Sequence, residues 1–238
     1  MQDYNKQASN YWWMVAVVGF ALLANALHSV LALPATTFLQ VVLAMVFVGA
    51  VAFFPVRVPG TKLSIAAGEI VIFLVLLLFG VEAAAVIAAL EGMTASARTS
   101  KRWTSWFGTP AMAVIAVSSS GYLFFAAREA MERNGLLNGA TTLLLLTLFA
   151  VVYCALGNIL PSLLLALKRD ERLNVFSLLK DRSWMMAAHV CSAAIAGLLF
   201  VAGATIDVWV LLATLPPIAI SLLCAHALLE HFGVKQHS

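Results

Sequence analysis

Long apolar runs separated by short polar connections recur along the whole chain, and no other feature of the sequence constrains the fold as strongly. Eight runs can be delimited, and each has roughly the length that a bilayer crossing demands except the third and the fourth. They lie at 12–33, 36–54, 65–80, 82–97, 109–127, 139–167, 184–204 and 208–231. The sequence therefore predicts an all-α polytopic membrane protein, in which residues 1–238 form a single transmembrane domain built as a bundle of about eight helices.

The composition excludes a soluble globular protein of this size. Of the 238 residues, 63% are hydrophobic and only 11% are charged, whereas about a quarter of the residues of a soluble domain are charged. The first apolar run, 12–33, is longer than the hydrophobic region of a secretory signal peptide, so we expect it to be retained as a helix. The longest connection, around residues 168–184, is too short for a separate soluble domain.

The basic residues predict the orientation of the chain. If the N-terminus is cytoplasmic and the chain crosses eight times, every lysine and arginine except Arg128 and Arg133 lies on the cytoplasmic side. An excess of Lys and Arg in cytoplasmic connections is the usual determinant of topology. The sequence therefore predicts an even number of crossings with both the N- and the C-terminus in the cytoplasm.

One connection is expected to be extended rather than helical. The stretch FFPVRVPGTKLS, residues 53–64, contains Pro55 and Pro59, which prevent a continuous helix. Val56 and Val58 alternate with Arg57 as in a strand, and a Pro-Gly pair marks a turn. We expect a short extended segment around 55–62 at the cytoplasmic face.

Carboxylates inside the apolar runs are the main candidates for a ligand site. The run AAGEIVIFLVLLLFGVEAA places Glu69 and Glu82 13 residues apart, which is about 20 Å in a helix against a hydrocarbon core of about 30 Å. At least one of them is therefore expected below the headgroups, and the orientation makes Glu69 the buried one and Glu82 chiefly a boundary residue. Glu91, within the fourth run, is costly at membrane depth unless it is paired or solvated.

Two other polar residues at membrane depth complete the candidate set. His189 lies inside the seventh run and Asn158 inside the sixth, and each suits either an interhelical hydrogen bond or a ligand contact. His226 and Glu230 lie near the end of the last run, where water reaches them. The candidate ligand-binding residues are Glu69, Glu91, Glu82, His189 and Asn158.

The sequence contains no motif for catalysis, a metal or a cofactor. Cys154, Cys191 and Cys224 stand alone in apolar runs, without the spacing of a disulfide framework or a thiolate site. No HExxH, P-loop, Rossmann fingerprint or nucleic-acid module is present. The stretch Ser118–Gly121 lacks the leading glycine of a GxSG intramembrane serine protease. We expect a protein that is not an enzyme, has no cofactor and binds no nucleic acid.

The region from Phe54 to about Phe125 resembles the multi-spanning N-terminal membrane sensor region of bacterial signalling proteins, which precedes HD-GYP, GGDEF or histidine-kinase domains. The similarity lies in the entry FPVRVPG, the pair LS, the helix end LLFGVEA, a basic loop and the TPA that starts the next run. The matching residues are Pro59, Gly60, Leu63, Ser64, Glu69, Phe79, Gly80, Glu82, Ala83, Arg98, Pro110 and Ala111. The resemblance implies a bacterial inner-membrane protein and names no binding residue.

In that family a catalytic output domain follows the membrane region, whereas only FGVKQHS follows His231 here. We therefore expect either an excised sensor region or a stand-alone relative that works through a separate cytoplasmic signalling partner. The first hypothesis is a non-catalytic sensory module in the lipid bilayer, in which a small ligand, a lipid or a proton binds the central bundle and biases two arrangements of the seventh and eighth helices; the resemblance also implies a homodimer. The alternative is a small-molecule carrier or the substrate-binding membrane subunit of a transporter. A lipid-modifying enzyme has no supporting motif.

Overall fold

The computed structural model describes residues 4–52, 56–57, 64–65, 68–171, 173–181 and 183–203, and within these ranges the protein is almost entirely helical. The helices are α1 (Lys6–Leu31), α2 (Ala35–Ala52), α3 (Gly68–Phe79), α4 (Val81–Thr99), α5 (Trp103–Arg133), α6 (Gly139–Arg169), α7 (Val175–Asp181) and α8 (Ser183–Gly203). The first seven predicted runs each correspond to one of these helices. The eighth run, 208–231, lies outside the described residues, together with His226 and Glu230.

The protein is a helical membrane protein. Among the described residues, four helices are long and apolar enough to cross a bilayer, namely α1, α2, α5 and α6, and α7 with α8 makes a fifth if the bent pair is one span. Helix α3 has 12 residues, about 18 Å, which is well short of a hydrocarbon core of about 30 Å. The count of eight crossings and the orientation of the termini stay predictions.

Helices α3 and α4 form a hairpin around Gly80. This residue caps α4 with a φ of 92°, a left-handed backbone conformation that glycine adopts without a steric penalty. At the open end of the hairpin, the Cα of Gly68 lies directly against the carboxyl group of Glu91, so a Cβ at position 68 would overlap it. The two helices are therefore antiparallel, and the return helix lies beside the outgoing one.

The hairpin is enclosed by the longer helices. Helix α3 packs against α2, α4 and α8, and α4 packs against α1, α2 and α5 as well. Every residue of α3 from Ile70 to Leu77 is buried, and α4 contributes mainly alanines to the same core. Gly92 allows α4 to approach α5 closely, because a Cβ there would lie 3.0 Å from the Cα of Pro110. A helix too short to cross a bilayer is thus shielded by neighbours that are long enough.

A two-residue antiparallel ladder joins Val56–Arg57 to Ser64–Ile65. The first strand lies within the segment 55–62 that was expected to be extended, and residues 58–63 are outside the described part of the chain. Helix α7 lies in the basic connection between α6 and α8, for which no helix was predicted. Trp12 is buried, and its indole Nε1 donates to the carbonyl oxygen of Thr104 at 3.0 Å.

Candidate functional site

A cavity of about 320 Å³ opens between six helices, α2, α3, α4, α5, α6 and α8, at the open end of the α3–α4 hairpin. We call it the polar cavity. Four of the five residues predicted for a ligand site line it, although they come from four different helices. Its polar and titratable side chains include Glu69, Glu91, Arg98, Tyr153, Asn158 and His189. The fold thus brings the dispersed candidates together, and their role in ligand binding stays a prediction.

Glu69 and His189 form a direct contact between α3 and α8. The Nε2 atom of His189 lies 3.2 Å from Oε1 of Glu69, and both side chains are largely shielded from solvent. The Nδ1 atom of the same ring lies 2.8 Å from the carbonyl oxygen of Met185. Because that oxygen can only accept, Nδ1 carries a hydrogen and donates it.

The tautomer of His189 determines the charge of the pair. With Nδ1 donating, the contact between Nε2 and Oε1 needs one proton, which is held either by the imidazolium or by the carboxylic acid. In both forms the Glu69–His189 pair carries no net charge. The pair therefore links two helices without leaving a charge for the rest of the cavity to neutralise.

Glu91 is the unsatisfied group of the cavity. Its Oε1 is fully buried, and no described residue donates a hydrogen bond to it. The hydroxyl of Thr94 on the same helix donates to the backbone oxygen of Glu91, at 2.8 Å, rather than to the carboxyl group. Arg98, two turns beyond Glu91, also lines the cavity but is exposed. A buried acceptor without a donor costs about 1–3 kcal/mol, and more if it is charged, so this group is poised to accept a partner.

Asn158 is buried at the α6 wall of the cavity. Its amide nitrogen donates to the carbonyl oxygen of Cys154 at 2.8 Å and lies 3.4 Å from the Cys154 sulfur. Both of these contacts lie within α6. The contact fixes the amide at the cavity wall, next to Cys154, which is buried.

Tyr153 is the cavity residue that sequence reasoning missed. Its ring lies 5.7 Å from that of His189 and stacks on Phe149 at 6.0 Å with an interplanar angle of 4°. Phe73 of α3 meets both Phe149 and Tyr153 edge-on. The available signal was the position of a tyrosine deep in a span rather than at its interfacial ends, where this residue type is enriched.

Glu82 does not belong to the cavity. It lies in the first turn of α4, at the closed end of the hairpin, where the hydroxyl of Tyr122 donates to its Oε1 at 3.1 Å. A carboxylate at a helix N-terminus is stabilised by the helix dipole. This placement agrees with a boundary residue and separates Glu82 from the other four candidates.

No protein-family model matches the chain, and no curated protein or solved structure matches it either. The resemblance to bacterial sensor regions therefore stays a prediction. Three of its motif residues, Pro59, Gly60 and Leu63, lie outside the described residues. A search of the described part of the chain finds no group of three or more His, Cys, Asp or Glu that could hold a metal ion.

Proposed function

We propose that the protein is a non-catalytic sensory module of the bacterial inner membrane that receives a small ligand in the polar cavity and passes a signal to a cytoplasmic output domain or partner. The observation that carries the proposal is Glu91, which lines the cavity and whose buried Oε1 has no hydrogen-bond donor among the described residues. Intramembrane carboxylates are expensive, so one with a buried oxygen that lacks a hydrogen-bond donor is the strongest candidate for function.

The contact between α3 and α8 supplies a route from the cavity to the rest of the chain. Glu69 and His189 both line the cavity and bridge the two helices. Helix α8 follows α7 and the basic connection, which the predicted orientation places on the cytoplasmic side. A ligand that competes for Glu69, or that binds better when the pair is intact, shifts the population of α8 arrangements by its difference in affinity for them.

A fusion experiment tests this proposal without knowledge of the ligand. A diguanylate cyclase domain attached after Ser238 is assayed in isolated membranes, with Glu91→Gln and Glu69→Gln compared with the unaltered sensor. Both substitutions should change the cyclase activity per fusion molecule, because they alter the cavity and its contact with α8. Glu82→Gln is the matched control, since it makes the same chemical change at the opposite end of the hairpin. Equal activity in all four fusions would refute signalling through the cavity.

The alternative function, a small-molecule carrier or the substrate-binding membrane subunit of a transporter, has one specific observation in its favour. Gly157 lines the cavity and is exposed, so the cavity reaches the surface of the described helices beside α6. A transported solute needs such an opening. Solute uptake into proteoliposomes that contain only this chain, together with a cyclase fusion indifferent to Glu91, would favour the carrier over the sensor.

A further inference from the structure

We propose that the ligand of the polar cavity is a small amphipathic organic amine, whose ammonium group is bound by Glu91 and whose apolar body lies along the small side chains of the cavity wall. This inference rests on the proposed function, because it assigns a chemical class to the ligand of the same site. Three features of the cavity support it: the carboxyl group of Glu91, whose buried oxygen lacks a donor among the described residues; the apolar wall with one aromatic ring; and the opening beside α6.

The first feature is a carboxyl group whose buried oxygen has no hydrogen-bond donor among the described residues. The Glu69–His189 pair carries no net charge, and the amide of Asn158 is engaged with Cys154. Glu91 lines the cavity and its fully buried Oε1 has no donor among the described residues, while the cation that also lines the cavity, Arg98, is exposed. A primary ammonium group supplies both the N–H donor and the opposite charge, and such charge-assisted hydrogen bonds are roughly twice as strong as neutral ones.

The second feature is the apolar character of the remaining wall. Alanines of α4 and α5 and the side chain of Met112 form much of the surface around the carboxyl groups. Tyr153 adds an aromatic ring, which attracts a cation placed over its face. The volume of about 320 Å³ lies at the lower end of the range of about 300–1,000 Å³ for small-molecule sites. An apolar body with one charged end fits this wall better than a polar solute such as a sugar.

The third feature is the position of the opening. Helix α6 has 31 residues, about 46 Å in length, and Gly157 lies within its middle third. The exposed Gly157 therefore faces lipid rather than water if α6 crosses the membrane. An amphipathic amine partitions into a bilayer and can reach a lateral opening, whereas a strongly hydrated cation cannot.

The test compares two probes that differ only in the charged group, 2-phenylethylamine and 2-phenylethanol, with the full chain purified in mild detergent. Binding is measured by the ligand-dependent rise in the unfolding temperature and by titration calorimetry. The amine should stabilise the protein over a concentration series, and the alcohol should bind more weakly. Glu91→Gln should weaken amine binding by about tenfold or more, because the buried charge partner is lost. Glu82→Gln should leave it unchanged.

A second variant keeps the proposal testable if Glu91→Gln does not fold. A Cβ at Gly157 meets no atom within 4 Å, so Gly157→Leu places an isobutyl group at the opening of the cavity without altering a carboxylate and should block amine binding. Gly139→Leu, in the first turn of the same helix and also free of neighbours within 4 Å, is the matched control and should bind normally. Equal affinity for amine and alcohol, or unchanged amine binding in Gly157→Leu, would overturn the proposal.

The outcomes also separate this inference from the proposed function. If the cyclase fusion depends on Glu91 but 2-phenylethylamine binds no better than its alcohol, the sensor stands and the amine class is wrong. If the amine binds through Glu91 but all fusions show equal activity, the ligand class stands and signalling is refuted.

Discussion

The two ends of the α3–α4 hairpin carry the same type of side chain in opposite circumstances. At the closed end, Glu82 is near the surface and accepts a hydrogen bond from Tyr122. At the open end, Glu69 meets His189, and the buried Oε1 of Glu91 meets no described donor. The difference shows that the neighbouring helices determine whether a carboxyl group of the hairpin has a hydrogen-bond partner.

Packing follows the same division. Between the two ends, α3 is completely buried and its side chains interlock with α4 and with the ring of Phe149 on α6. At the open end, Gly68 lies against the carboxyl group of Glu91, and the polar cavity lies beside this contact. Stability is therefore expected to reside in the middle of the hairpin, and the proposed binding site lies at its open end.

The largest expected effect is on the packed middle of the hairpin. Phe73→Ala should lower the free energy of unfolding by about 3–5 kcal/mol, because it leaves a cavity among rings that now touch. Phe107, which is 50% exposed, is the matched control, and Phe107→Ala should cost far less. Unfolding by titration with a denaturing detergent measures both. Similar losses for the two variants would contradict the assignment of stability to the middle of the hairpin.

The next largest effect is expected at the contact between α3 and α8. His189→Ala leaves Glu69 buried without its partner and should cost about 1–3 kcal/mol in the free energy of unfolding. The exposed pair of Glu129 and Arg133 on α5 provides the comparison, since exposed ion pairs contribute only about 0–1 kcal/mol. A double-mutant cycle with Glu69→Gln measures the coupling, and an energy no larger than that of the exposed pair would show that this contact does not join the helices.

A smaller effect is expected where α4 approaches α5. Gly92→Ala places a methyl group 3.0 Å from the Cα of Pro110, so the helices must separate, at a cost of about 1–2 kcal/mol. Gly157→Ala adds the same methyl group at a position where a Cβ has no atom within 4 Å. It should be neutral or stabilising, since alanine favours a helix over glycine. Equal unfolding free energies for the two variants would show that the close approach of α4 to α5 does not require glycine at position 92.

The smallest expected effects are changes in the free energy of unfolding that have opposite signs at the two ends of the hairpin. Glu82→Gln removes part of the acceptor strength offered to Tyr122 and should lower the free energy of unfolding by about 0.5–1 kcal/mol. Glu91→Gln replaces a buried carboxyl group that lacks a donor and should raise the stability of the ligand-free protein by a similar amount. The free energies of unfolding are measured in ligand-free detergent solution. A loss of stability in both variants would mean that Glu91 has a structural role.

Local patterns in the sequence predicted the helices well. Apolar runs bounded by Gly80, by prolines and by basic connections predicted seven helices, and the structure has these helices within a few residues of the predicted positions. The exceptions are α1, which begins earlier than predicted, and α5, which extends further at both ends. The number of crossings does not follow in the same way. Helix α3 is apolar because it is enclosed by other helices, and enclosure by protein and immersion in lipid produce the same apolar signature.

The sequence by itself determined that this chain is a helical membrane protein and that Glu69 and Glu91 differ from Glu82. Only the tertiary structure decided that Glu69, Glu91, Asn158 and His189 share one cavity, because these residues lie on four helices and their meeting depends on how the helices pack. It also decided that Tyr153 completes the wall and that one carboxyl oxygen lacks a donor among the described residues. Periodicity along a chain records which face of a helix is apolar, whereas satisfaction of a buried polar group depends on atoms that distant segments bring to it.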